Sequence, residues 1–278
     1  MIPAFGEIGE ALRRSTVGVR DGRRSGGSGV IWNSEGLIVT NAHVATSRRM
    51  TVELWDGREY PAELGARDSR RDLATLRVQA RQLPAATVGD SERVRPGEMV
   101  IAVGNPLGFT GALSTGVIHS SGVFPGLGQR RWIQADVRLA PGNSGGPLAD
   151  SLGRVIGLNT MVVSGGLALA VPVEEVRRFL SSGPSMELGV TVWEVRLTAR
   201  RGIGLVVLEV GRGSAAEQAS LLVGDVLTAA NGRPFAGSED LLAAIDGSGG
   251  GTLSLEFLRG DRSRTRTVSV RLERKAAA

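Results

Sequence analysis

The 278-residue chain contains no cysteine. No disulfide can brace it, no thiolate can ligate a metal and a cysteine nucleophile is excluded, while the redox compartment stays open. Aromatic residues make up only 4% of the chain against 40 glycines, a balance that suits a turn-rich, mainly β protein better than a helical bundle. Histidine is nearly absent as well: His43 and His119 are the two present. With so few, and with no His-Glu-x-x-His pattern, a metal-dependent hydrolase is disfavoured and neither a metal nor a cofactor is expected. Long apolar runs are also missing. Residues 99–129 carry no charged side chain, but Asn105-Pro106, repeated glycines and Ser114, Thr115, Ser120 and Ser121 break the stretch. It falls short of the roughly twenty apolar residues that an integral membrane helix needs. A phosphate-binding loop is not evident either, because Gly26-Gly27-Ser28-Gly29 is followed by neither a Gly-Lys-Ser sequence nor a clear helix. That run reads as a flexible lead into the first strand.

What the chain does have is enough apolar residue, 41%, to build two compact domains. The net charge is +5 and nearly all basic residues are arginine. Pairs such as Arg70-Arg71, Arg130-Arg131 and Arg200-Arg201 are dispersed and interleaved with acidic residues. They read as solvated faces, with no nucleic acid as partner.

In chain order, residues 1–16 form an N-terminal amphipathic segment, with Phe5, Ile8 and Leu12 at helical spacing. Glu7 and Glu10 break any apolar core that a secretory signal would need, so the chain as given reads as cytoplasmic. From Val17 to Val103 short apolar runs alternate with turn signals, including a hairpin at Asp56-Gly57. Further short strands are expected up to Val173, the pattern of β-barrels. Val173, Val176 and Leu180 then repeat at helical spacing, and residues 181–186 read as a linker.

The chemistry centres on Pro141-Gly142-Asn143-Ser144-Gly145-Gly146-Pro147-Leu148. A serine between glycines is a candidate nucleophile, because a tight turn exposes its hydroxyl and lets backbone N–H groups approach a reacting carbonyl. Such a serine needs a base, and the base needs an orienting group. His43 ends an apolar run and Asp72 opens another, which sets the order His43, Asp72, Ser144. His119 follows Gly116-Val117-Ile118 without comparable context and reads as an ordinary loop or barrel histidine.

Gly27-Ser28-Gly29-Val30-Ile31, Thr40-Asn41-Ala42-His43-Val44, Asp72-Leu73-Ala74 and Gly142-Asn143-Ser144-Gly145-Gly146 together resemble the HtrA family of trypsin-like serine proteases. The resemblance implies a chymotrypsin-like double six-stranded β-barrel over residues 17–180, followed by a small α+β PDZ domain over 187–273. It implies His43, Asp72 and Ser144 as the triad, with the N–H groups of Gly142 and Ser144 as the oxyanion hole. Leu139 and Val162 fall where the family walls the S1 pocket, so cleavage after small or medium aliphatic residues is expected. Leu188-Gly189-Val190 falls where PDZ domains hold a ligand carboxylate, with Glu187 placing an acidic group beside it. Ser214-Ala215-Ala216 should open a helix, Asn231-Gly232 a turn, and Ser238–Ile245 a second helix.

By the same resemblance the chain is an ATP-independent endopeptidase acting on unfolded or misfolded proteins, with C-terminal or extended peptides at the PDZ domain. Phe5 becomes a contact for a homotrimer or higher oligomer or, equally, packs on its own barrel. Because the family is commonly exported, a periplasmic or extracytoplasmic placement applies if the sequence is a trimmed piece. Ser121 and Val123 stand where relatives carry a leucine and a basic residue in a regulatory loop, which weakens the expectation of PDZ control. The alternative reading is a peptide-binding, chaperone-like protein with a resting protease domain.

Overall fold

The computed structural model describes residues 4–22, 24–105, 110–124, 127, 130–162, 166–182, 188–197, 202–249 and 251–272. The chain divides into two compact units, Met1–Gly183 and Pro184–Ala276.

The first unit opens with helix α1, Phe5–Arg14. Glu7 accepts the N–H of Ala4 at 3.0 Å and so caps the first turn. Ile8 and Leu12 are buried against Ile101, Val103, Ala149 and Val155. The helix therefore packs on its own unit through these two residues, while Phe5 stays 47% exposed.

Two closed barrels follow. The first is built from β1 (Thr16–Asp21), β2 (Arg24–Ile31), β3 (Leu37–Thr40), β4 (Arg49–Glu53), β5 (Glu59–Asp68) and β6 (Leu73–Val78), in the order β1-β2-β3-β6-β5-β4. Alternation drives it: Val17, Val19, Ile31, Ile38, Val52 and Leu76 are all fully buried in one core. Asp56-Gly57 closes the β4–β5 hairpin, with Gly57 in the left-handed region at φ +82°. The second barrel comprises β7 (Met99–Gly104), β8 (Ala112–Val123), β9 (Arg131–Ala135), β10 (Pro147–Asp150), β11 (Val155–Val162) and β12 (Ala168–Pro172), in the order β10-β11-β12-β9-β8-β7. The uncharged 99–129 stretch thus supplies barrel strands. Among the described residues no helix is long and apolar enough to cross a membrane.

Helix α2, Val173–Ser182, runs two residues into the stretch expected as a linker. Within it, Ser181 donates its hydroxyl to the Arg178 carbonyl at 3.0 Å, one turn back. Residues 183–187, including Glu187, lie outside the described residues.

The second unit is a six-stranded antiparallel sheet with two helices. Its path is β13 (Val190–Arg196), β14 (Ile203–Val210), β15 (Val226–Ala230), β17 (Thr252–Arg259) and β18 (Asp261–Arg271), with β16 (Arg233–Pro234) paired to β15. Helices α3 (Ala215–Gln218) and α4 (Ser238–Gly247) complete it. Asn231 and Gly232, at φ +49° and +73°, form the β15–β16 turn that their types favour. Asp225 is buried and paired with Arg259 at 2.6 Å, fixing the turn before β15. Strand β13 stands at one edge of the sheet.

Candidate active site

His43 lies on a tight turn just beyond β3, where the N–H groups of Val44 and Ala45 both reach the Asn41 carbonyl at 3.1 Å. Asp72 lies on the turn that leads into β6. That turn is organised by Asp68, only 3% exposed, which accepts the Arg70 and Arg71 N–H groups and the Arg71 guanidinium. Asp72 itself has φ +52°, a left-handed conformation that aspartate tolerates better than most residues. Asn41 donates its amide to the Asp72 carbonyl at 2.9 Å and so joins the two turns.

The Asp72 carboxylate accepts the His43 backbone N–H at 3.1 Å and meets the ring Nδ1 at 2.9 Å. Its other oxygen accepts the Thr160 hydroxyl at 2.5 Å. An ionised carboxylate only accepts, so Nδ1 carries a proton and donates it to Asp72. Burial pushes the Asp72 carboxyl up, but the hydrogen bonds from His43 and Thr160 and the His43 charge together hold it below the usual carboxylate range.

Ser144 sits on a loop pinned from several sides. Gly145 donates to the Asn159 carbonyl at 2.8 Å, Asn159 donates to Gly146 at 2.9 Å, and the Ser28 N–H holds the Ser144 carbonyl at 2.7 Å. Gly142 and Gly145 have φ +106° and +85°. A Cβ on Gly145 would stand 2.1 Å from the Ser28 carbonyl oxygen, so only glycine fits. The N–H groups of Gly142 and Ser144 meet no acceptor among the described residues. The Gly26–Gly29 run is not the flexible lead expected from its composition. It lies within β2, with Ser28 fully buried, because the nucleophile loop presses directly on it.

One contact differs from a simple linear triad: the Ser144 hydroxyl donates to the Thr160 carbonyl at 2.8 Å and not to the His43 ring. Thr160, 3% exposed on β11, therefore meets Ser144 through its carbonyl and Asp72 through its hydroxyl. A threonine in the second half of a largely buried strand gives no sign of this in sequence. Leu139 is partly buried against the second-barrel core, whereas Val162 is 48% exposed at the end of β11. His119 is exposed on β8 and takes no part in these bonds. Among the described residues no group of three or more His, Asp or Glu side chains is placed to hold a metal.

In the second unit Leu188 is buried and its carbonyl accepts the Ala216 N–H at 2.9 Å. Gly189 has φ +77°, and a Cβ there would lie 2.2 Å from the Ser214 Cβ. Val190 begins the edge strand β13. Glu194, on the same strand, accepts the Ser238 N–H at 2.6 Å and ties β13 to the start of α4. Hydrogen bonding from the Ser238 backbone N–H, and then from its hydroxyl, lowers the Glu194 carboxyl from its usual range.

Comparison with known proteins agrees with this geometry. Residues 27–158 match the family described as a trypsin-like peptidase domain, and residues 186–271 match the PDZ domain. A probable periplasmic serine endoprotease, DegP-like, from Pseudomonas putida (strain GB-1) is 35% identical over 264 residues, covering 88% of this chain and 55% of the relative. The chain thus spans about half the length of that relative. The putative serine protease HhoA of Synechocystis sp. is 32% identical over 273 residues, covering 87% of this chain and 69% of the relative. Among solved structures, the HtrA-type protease AlgW with a decapeptide superposes with a TM-score of 0.69 at 26% identity, covering 99% of this chain and 100% of that one. A double six-stranded barrel carrying a His-Asp pair and a glycine-flanked serine, followed by a PDZ domain, places this chain in the HtrA family of trypsin-like serine proteases.

Proposed function

We propose that the chain is an ATP-independent serine endopeptidase that hydrolyses unfolded or misfolded polypeptides through an acyl-enzyme on Ser144. The observation that carries this reading is the His43–Asp72 pair, with Thr160 joining it to Ser144. Ser144 turns its hydroxyl from the Thr160 carbonyl to His43 Nε2 and attacks the scissile carbonyl as His43 takes the proton. His43 then protonates the leaving amine, and water, activated by the same base, hydrolyses the ester. Asp72 stays ionised, fixing the tautomer and stabilising the imidazolium. The Gly142 and Ser144 N–H groups receive the oxyanion, each contributing about 2.7–4 kcal/mol to the transition state.

Leu139 and Val162 wall the S1 pocket in this reading, leaving it shallow and without a carboxylate. Digestion of β-casein followed by mass spectrometry should give cleavage after Val, Ala and similar residues. Cleavage concentrated after Lys or Arg would overturn the pocket assignment.

The second unit, taken as residues 187–273, binds an extended peptide by strand addition to β13, with the peptide carboxylate at Leu188-Gly189-Val190. Calorimetry should show a peptide with a free C-terminus binding at least tenfold more tightly than its amide. Equal affinities would remove the carboxylate role. For the oligomer we assign Phe5 to a trimer contact, supported by its exposure on a helix that packs through Ile8 and Leu12. Sedimentation velocity should find a trimer that Phe5→Ala weakens; an unchanged distribution would exclude that contact. The periplasmic name of the P. putida relative favours an extracytoplasmic site of action over the cytoplasmic one.

A further inference from the structure

Resting on the proteolytic reading above, we infer that Ser28 is a positioning residue for acyl transfer, whose side chain holds the oxyanion-binding turn in its working conformation. Ser28 lies on β2, far from Ser144 in sequence, and is fully buried. Its hydroxyl donates to the Gly142 carbonyl at 2.6 Å and accepts the Asn105 N–H at 2.8 Å. Its backbone N–H donates to the Ser144 carbonyl at 2.7 Å. A single residue therefore grips the carbonyls on both sides of Asn143.

The grip matters because Gly142, at φ +106°, has no side chain to restrict how its peptide planes turn. The Gly142 carbonyl and the Gly142 N–H sit on adjoining planes, so anchoring the first limits the orientation of the second. A hydroxyl is suited to this place: one atom accepts from an N–H and donates to a carbonyl at once. Acceptance from Asn105 polarises Oγ and strengthens its donation to Gly142.

The same hydroxyl links the nucleophile loop to the connection after β7. Asn105 follows that strand directly, and its side-chain oxygen accepts the Gly111 N–H at 2.7 Å. The loop has little room to relax elsewhere. A Cβ on Gly104 would stand 2.4 Å from the Asn143 side-chain oxygen. Thr40 supports the arrangement from behind, donating its hydroxyl to the Ser28 carbonyl at 2.6 Å.

The test uses the full chain and a chromogenic peptide with valine before the scissile bond. Ser28→Ala should lower kcat about tenfold or more, the scale of losing one buried hydrogen bond that acts on an oxyanion donor, with KM changed less than about twofold. Affinity for a peptide boronate, which mimics the tetrahedral oxyanion, should fall by the same factor as kcat. The pH midpoint of the acid limb should stay in place, because the His43–Asp72 pair is untouched. Thr75→Val serves as the stability control, since it removes another buried hydroxyl in the first barrel, one that accepts the Ala66 N–H at 2.8 Å. Should Ser28→Ala fail to fold, Ser28→Cys, which keeps a weaker donor, carries the comparison, again with reduced kcat expected. Wild-type kcat and boronate affinity in Ser28→Ala, or losses matched by Thr75→Val at equal loss of stability, would overturn the proposal. Wild-type protein that neither cleaves nor is labelled by a fluorophosphonate would instead sink the proteolytic reading itself.

Discussion

Ser144→Ala should lower kcat for a peptide substrate by about 10⁵–10⁶-fold while leaving the fold in place, the scale seen when a triad nucleophile is removed. Among the described residues the hydroxyl makes one hydrogen bond, to the Thr160 carbonyl, and the residue is only partly buried. Its loss should therefore cost about 1 kcal/mol of stability or less. A large kinetic effect without a matching stability effect separates a nucleophile from a packing residue. His43→Ala should match it within about tenfold, and the double variant should be scarcely worse than either, because the two act as one unit. Substantial turnover by Ser144→Ala would move the chemistry to another residue.

Asp72→Asn should lower kcat by about 10⁴-fold at neutral pH. Asp72 receives both the His43 ring N–H and the Thr160 hydroxyl. An asparagine can accept one of them only by presenting a donor to the other, which favours the imidazole tautomer with its proton on Nε2. The same substitution carries a stability signature. The Asp72 carboxyl is held below its usual range in the folded state, so its contribution is fully present above the unfolded value, about 3.9, and is lost as pH falls through the folded value. Urea midpoints between pH 2 and 6 should accordingly fall more steeply with acid in wild type than in Asp72→Asn. Parallel curves would mean that the carboxylate gains nothing from its partners.

Much of this was legible in the sequence because it is encoded locally. The Asp56-Gly57 hairpin, the Asn231-Gly232 turn and the amphipathic face of α1 each follow from a few neighbouring residues. His43, Asp72 and Ser144 stand out because chemistry restricts which residue types can fill those roles. What stayed hidden is long-range and polar. Ser28 and Thr160 look like ordinary strand residues, and their importance comes from partners 114 and 88 positions away. The Gly26–Gly29 run, which lies within β2, looks like a flexible lead for the same reason. Its glycines leave room for an approaching loop: a Cβ on Gly27 would lie 2.7 Å from the Ser144 carbonyl oxygen. Glycine composition alone cannot distinguish that closeness from freedom. The bond from the Ser144 hydroxyl to the Thr160 carbonyl is similarly long-range, and no local residue pattern expresses it.

The measurement closest to the central claim is covalent labelling of the intact chain with a fluorophosphonate, followed by peptide mapping. The account predicts one adduct per chain, located on Ser144, forming at least about a hundredfold more slowly in His43→Ala, in line with the contribution of a general base. A folded protein that takes up no label, or takes it up on another residue, or reacts at an undiminished rate without His43, would contradict it.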